Sequence, residues 1–266
     1  MEEKVDVRTK ELTVAHNKLS YAYQDIKDSI QYAKQIQDAI LPLHEDLKKV
    51  LPDSFIFFKP RDVVSGDFYW FNIKEEATYI AAVDCTGHGV PGAFMSMIGN
   101  TLLNEIINKQ KVTEPALILG NLNDEVRKAL KQDRETMESK DGMDLAFCSI
   151  DKNNRVVQYA GARRPLYIIK NNGTFEEIKG DKLSIGGMQF EEKTTFTNHK
   201  VQLEKGDTVY IFSDGYVDQF GGERGKKYTS KRLQELLIGI CKLSMKEQYK
   251  TIKDTLTTWT GDVEQI

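Results

Sequence analysis

Three aspartates share a local context that suits chemistry: Ser-Gly-Asp ending at Asp67, Asp-Cys-Thr-Gly-His-Gly starting at Asp84, and Ser-Asp-Gly around Asp214. Each lies at the edge of an apolar or aromatic run and beside a glycine, so each carboxylate is expected to project from the end of a rigid strand. Brought together, such charges repel unless a cation sits between them. An oxygen-rich site without Cys or His clusters suits magnesium or manganese. A lone Asp-Gly is ordinarily a turn or a cap. Three of them, one followed by a helix opened at Pro91, are better explained by a common site. His88 lies four residues after Asp84 in a glycine-flanked loop and is a candidate proton donor near a bound phosphate, although a plain loop histidine has the same sequence signature. Cys85 and Ser213 each neighbour one of the aspartates, but no histidine is placed in sequence to activate them. The chain has no GxxxxGK[ST] and no GxGxxG, which argues against a nucleotide-binding enzyme.

The elements that must position these residues read as α+β. FIFF at 55–58, DFYWF at 67–71 and TYIAAVD at 78–84 have the aromatic and β-branched content of strands, the last two close enough for a hairpin. Helices are expected from Pro91 to Ile107 and from about Glu114 to Gln132. MDLAFCSID, RVVQYAG, PLYIIK, FEEIK, KTTFTNHKVQL and DTVYIFSD read as further strands. Gly221, Gly222 and Gly225 mark a polar, mobile loop, and two helices follow at about 230–241 and 244–258. Grouped strands followed by paired helices fit antiparallel sheets stacked face to face with helices outside.

Ahead of this body, residues 1–43 form a separate module. A heptad row of Val5, Leu12, Leu19, Ile26, Ala33 and Ile40 is apolar throughout, while the row three residues on (Arg8, Ala15, Ala22, Ser29, Ile36, Leu43) is weaker. A helix with one apolar stripe must pack on a second copy or on the body of the protein. The preferred reading is a parallel coiled-coil homodimer through residues 5–40. Pro42 ends the helix near Leu41, a short helix follows, and the compact domain begins near Asp53.

Composition narrows the function. With 37 Lys and Arg against 40 Asp and Glu, the net charge is −3, and no basic block with interleaved aromatics suggests nucleic acid as a partner. The three cysteines, Cys85, Cys148 and Cys241, form no CxxC pair, so neither a zinc site nor a disulfide framework is expected. No apolar run is long enough to span a bilayer, and the charged start MEEKVDVRTK is unlike a signal peptide, so a cytoplasmic location is expected, with tethering to a membrane sensor in a longer parent left open.

The runs KPRDVVSGDFYWF, AAVDCTGHGVPGAFMSMIGNTLLNEI, DGMDLAFCSID, YAGARRPLYII and DTVYIFSDGYVDQF together resemble the SpoIIE-like branch of the bacterial PPM phosphatases, and QYAKQIQDAILP resembles the helical linker that precedes that domain. The resemblance covers about residues 28–266. It implies an αββα sandwich with two manganese or magnesium ions between the sheets. Asp67, the bridging Asp84 and Asp214 match metal aspartates of the family, Cys85 stands where the family uses a backbone carbonyl, and Asp144, with Asp141 nearby, matches the segment of an optional further metal. Arg61 stands about where more distant relatives hold phosphate. The implied activity is hydrolysis of phosphoserine or phosphothreonine on a protein, with a phosphorylated STAS domain as partner. The family's closing aspartate pair and last strand do not appear before Ile266, so the domain of residues 53–266 is expected to lack its final strand. A non-catalytic interaction module is the alternative.

Overall fold

The heptad stripe forms a single helix, α1 (Glu2–Ile40), in a computed structural model that describes residues 2–133, 139–187 and 195–265. Val5, Leu12, Leu19 and Ile26 are 60–70% exposed along it. Only the last turns meet the body: Ile30, Ala33, Lys34, Gln37 and Ile40, spaced three and four apart, lose exposure, and Gln37 alone is buried. The helix stops before Pro42, because a residue preceding proline is driven out of helical geometry. A short helix, α2 (His44–Val50), follows.

The first sheet begins with the expected hairpin, β1 (Phe68–Ile73) and β2 (Thr78–Cys85). Two helices intervene, α3 (Gly89–Asn108) and α4 (Pro115–Ala129), the latter opened by a proline that needs no N–H there. Then come β3 (Gly142–Asp151), β4 (Val156–Ala162), β5 (Leu166–Ile169), β6 (Phe175–Ile178), β7 (Ile185–Gly186), β8 (His199–Gln202) and β9 (Thr208–Tyr210). One sheet has the order β1-β2-β3-β4-β8 with β7 added on β3, and the other is β6-β5-β9. A short helix, α5 (Gly215–Asp218), a two-residue ribbon of β10 (Phe220–Gly221) and β11 (Lys226–Lys227), and the helices α6 (Ser230–Ile240) and α7 (Met245–Thr260) complete the chain. Ser244 and Glu247 cap α7 reciprocally.

Strand alternation sorts the apolar residues into three cores that define four layers. Met143, Leu145 and Phe147 of β3 face α3 and α4 with Leu103, Ile106 and Leu119. Their neighbours Ala146 and Cys148 turn the other way, onto Leu166 and Ile168 of β5. Tyr167 and Ile169 of β5 then face α6 and α7 through Leu233, Leu237 and Ile252. The expected αββα sandwich is present. No helix among the described residues is long and apolar enough to cross a membrane.

Several local expectations are corrected. FIFF at 55–58 pairs with no strand, although its side chains alternate as a strand's do: Phe55 and Phe57 meet Tyr249, while Phe58 meets Tyr69. DTVYIFSD is a strand only to Tyr210, and 211–213 are unpaired. A cleft of about 850 Å³ separates these two segments, so neither finds a ladder partner across it. The strand expected from Lys193 begins outside the described residues and is seen only over His199–Gln202. The glycine loop at 221–225 is a tight ribbon, with Gly221 and Gly222 so close to Trp259 that a Cβ would clash.

Candidate active site

The register of the first sheet brings two acidic residues side by side. Asp84 near the end of β2 pairs across the ladder with Asp144 at the start of β3. Asp67 stands immediately before β1, and its carboxyl shares hydrogen bonds with Asp84 and with Ser213. Asp214 arrives from the second sheet, just ahead of α5. Three segments far apart in sequence therefore converge at one end of the two sheets.

The residue at the centre of this convergence lies within YAGARRPLYII and has no motif signature of its own. Arg164 follows β4, and one nitrogen of its guanidinium lies 2.5 Å from Asp84 Oδ2, 2.6 Å from Asp214 Oδ2 and 3.5 Å from Asp144 Oδ2. Arg163 adopts φ 58°, a left-handed kink that turns the chain back and sends the next side chain inward. The only sequence signal was the Arg-Arg pair in a turn between apolar strands, which ordinarily reads as solvated surface. The Arg164 side chain is 17% exposed, and its Nε is buried without a partner among the described residues.

Electrostatics explain the arrangement. Burial first, and the charge of Asp67 second, push the Asp84 carboxyl up to about 8, against the opposing pull of Arg164. Asp67 is also raised by burial, but the hydrogen bonds from Ser213 and Asp84 restrain it. Of the two hydrogen-bonded carboxyls, Asp84 is the one that holds a proton more readily. Burial works against the charge on Arg164, yet Asp84 and Asp214 outweigh it and its pKa rises. Burial, with Asp67 and Asp84 nearby, raises the Cys85 thiol well above its ordinary range, so it is no thiolate nucleophile. Its carbonyl oxygen instead faces Gly66.

The outlying residues are arranged differently. His88 is the N-cap residue of α3, its side chain 72% exposed, with Nδ1 2.9 Å from Asp62 Oδ2; among the described residues no hydrogen bond joins it to Asp67, Asp84, Asp144 or Asp214. Arg61 lies with its Nε 3.9 Å from Asp62 Oδ1. Both line the same cleft as Asp67 and Asp214. Asp141 accepts from Thr86 Oγ1 and Ser139 Oγ, which ties the loop after Cys85 to the start of β3.

The residues fit divalent cations by donor chemistry: four carboxylates surround a single buried cationic group, and all the donors are hard oxygens. Among the described residues, no three acidic, imidazole or thiol side chains stand at metal-ligating spacing. The guanidinium occupies the space between Asp84 and Asp214, which keeps their carboxylates at hydrogen-bond distance from it.

The family model for stage II sporulation protein E matches residues 74–265. The chain belongs to the SpoIIE family. It is 29% identical over 242 residues to the phosphoserine phosphatase RsbU of Bacillus subtilis strain 168, a match spanning 91% of this chain and 68% of RsbU. The SiaA-PP2C domain of Pseudomonas aeruginosa superposes with a TM-score of 0.82 at 34% identity, covering 92% of this chain and 94% of that one. The phosphatase domain of SpoIIE from Bacillus subtilis, solved with a fragment of its regulatory domain, shares the fold at a TM-score of 0.58 and 18% identity, covering 76% of this chain and 55% of that one. This member of the SpoIIE family therefore carries a PP2C-type protein phosphatase domain.

Proposed function

We propose that the chain hydrolyses phosphoserine or phosphothreonine on a partner protein, in a reaction that depends on manganese or magnesium. The observation that carries this reading is the convergence of Asp67, Asp84, Asp144 and Asp214 around the partly buried Arg164 guanidinium, with Asp67 and Asp214 lining the cleft. In this reading Asp67, Asp84 and Asp214, with the Cys85 carbonyl and with Asp144 at the side, hold two divalent ions. Those ions, when bound, supply an acidified water and neutralise charge on the phosphate oxygens.

The remaining steps belong to the chain's own residues. Arg164 has a buried N–H to spare, and a guanidinium matches two oxygens of a phosphate at once. It orients the phosphoryl group, while Arg61 holds it at the rim. His88, steadied by Asp62, donates a proton to the departing serine or threonine oxygen.

The substrate in this reading is a phosphorylated STAS domain, and the likeness to the phosphoserine phosphatase RsbU supports phosphoserine as the group removed. Phosphate release from a phosphoserine STAS protein and from an aryl phosphate, each with and without Mn²⁺, tests it. Metal-dependent turnover of the phosphoprotein is expected. Turnover of the aryl phosphate alone would demote the substrate to small esters. The guanidinium that already neutralises the carboxylates favours a second reading, a non-catalytic interaction module, and that reading prevails if neither compound is hydrolysed at millimolar metal.

Two proposals concern architecture. Unpaired backbone on both sides of the cleft, at 55–58 and 211–213, supports a domain of residues 53–266 that lacks one strand of its second sheet. The exposed stripe of Val5, Leu12, Leu19 and Ile26 supports a homodimeric coil that carries the regulatory input. Removing residues 1–28 retains the turns that touch the body, and light scattering is expected to show the particle mass falling from a dimer to a monomer. An unchanged mass would rule out the coil as the dimer contact.

A further inference from the structure

An arginine side chain has several rotatable bonds, so where its guanidinium lands depends on how firmly its backbone is held. At Arg164 the backbone is held in a tight turn. Arg164 N donates to Ala162 O at 2.7 Å across Arg163, which stands at φ 58°. A three-residue turn whose central residue has positive φ is the rare, strained form of γ-turn. Such a conformation persists only where its surroundings over-determine it.

Three supports do so here. On the entry side, Arg163 N donates to Asp181 O and Asp181 N to Gly161 O, both at 2.8 Å. The Asp181 carboxylate is fixed in turn by Thr197, whose N and Oγ1 lie 2.7 and 3.0 Å from it. On the exit side, Pro165 bars its predecessor from helical geometry. The third support comes from between the sheets. Tyr159 is 0% exposed and packs with Cys148, Leu166 and Ile168. Its buried hydroxyl needs an acceptor, and it donates to the Arg164 carbonyl. Tyr159 and Gly161 point to the same face of β4. A Cβ at Gly161 would overlap both the hydroxyl and that carbonyl, and one at Gly180 would sit 2.9 Å from the same carbonyl. The two glycines thus leave the path open along which the phenol reaches the turn.

We infer that Tyr159 is a positioning residue: its hydroxyl, standing on the inter-sheet core, holds the strained turn at 162–164 and so sets where the Arg164 guanidinium meets Asp84 and Asp214. Phenylalanine would fill the same core volume but withdraw the donor from the carbonyl, which frees the peptide after Arg164 to rotate. The consequence for catalysis rests on the phosphatase reading. The placement of the guanidinium does not.

The test places Tyr159→Phe in the full chain and in the Arg164→Ala background. In N–H correlation spectra the buried Arg164 Nε–H gives a slowly exchanging signal, assigned by its loss in Arg164→Lys. Tyr159→Phe is expected to remove that protection. At saturating Mn²⁺, kcat/KM on the phosphoprotein is expected to fall about tenfold, mostly through KM, short of the ~10²-fold that a displacement of about 1 Å can cost. In the Arg164→Ala background the same substitution changes kcat/KM by less than about twofold, because its route to the site is gone. A residue that merely supported the fold would cost the same factor in both. Pro165→Ala, which frees Arg164 from the other side, is expected to act in the same direction, and it stands as the test if Tyr159→Phe does not fold. Wild-type protection of the Nε–H in the variant, or equal losses in the two backgrounds, would overturn the inference and leave the phosphatase reading intact. A wild-type chain that turns over no phosphoprotein would sink that reading instead, with the Nε–H signal still deciding whether Tyr159 places the guanidinium.

Discussion

Asp84→Asn is expected to abolish turnover and, in the absence of metal, to make the protein more stable. Activity falls on the order of 10³-fold, the rate equivalent of losing several kcal/mol of cation-borne charge stabilisation. The stability effect follows from proton linkage. In the unfolded chain Asp84 ionises at its ordinary value of 3.8, whereas in the fold burial and Asp67 hold its proton to about 8. The folded state thus binds this proton more tightly, so its contribution is complete below the unfolded value and is lost as pH rises through about 8. Between pH 6 and pH 8 the metal-free wild type loses up to ~1.4 kcal/mol per pH unit, a fall in Tm of roughly 5–10 °C. Asparagine carries no ionising proton, so the variant's Tm is flat over that range and exceeds the wild type's at pH 8. Thermal scans in chelator at three pH values measure this. A variant as pH-sensitive as the wild type would place the titrating proton elsewhere.

Arg164→Ala has the second large effect, and in the opposite direction. The guanidinium is the counter-charge for Asp214 and Asp144 and hydrogen-bonds the Asp84 carboxyl. Removing one partner of a buried ionic group costs about 3–5 kcal/mol, because the remaining charge stays desolvated. Asp214 is 43% exposed and solvent screens it, so the low end applies. That corresponds to a Tm lowered by roughly 6–12 °C in chelator. Millimolar Mn²⁺ or Mg²⁺ is expected to restore much of the loss, since the oxygen donors remain. Turnover does not recover with it, and KM for the phosphoprotein rises, because the fork that orients the phosphate is gone. Arg164→Lys keeps the charge without the fork and falls between the two in stability. A Tm for Arg164→Ala within a degree of wild type would mean that the guanidinium does not neutralise the cluster.

The linker adds a requirement of its own. A coil acts on a distant site only through a contact with discrete arrangements, since a ligand or partner shifts an equilibrium no further than its differential interaction with the two states. Gln37 supplies such a contact. Its hydrogen bonds join the helix to Ser65, two residues before Asp67, and to Ser96 of α3.

Much of this was legible in the residues. Local pattern determined the long helix and its end before Pro42, the hairpin of β1 and β2, the five helices α2, α3, α4, α6 and α7, and the three aspartates in their glycine contexts, because caps, prolines and alternation act within a few residues. Tertiary structure alone decided three things. FIFF and the end of DTVYIFSD have strand sequences but no ladder, since pairing depends on what lies across the cleft and not on propensity. The amide of Gln37 was invisible within a heptad, because its partners are 28 and 59 residues away. Arg164 carried no functional signal in sequence, and a left-handed kink at Arg163 turns it onto Asp84, 80 residues distant. Sequence determines which carboxylates are available to a site. Which cation they face is a matter of long-range electrostatics, and that is settled only when the sheets come together.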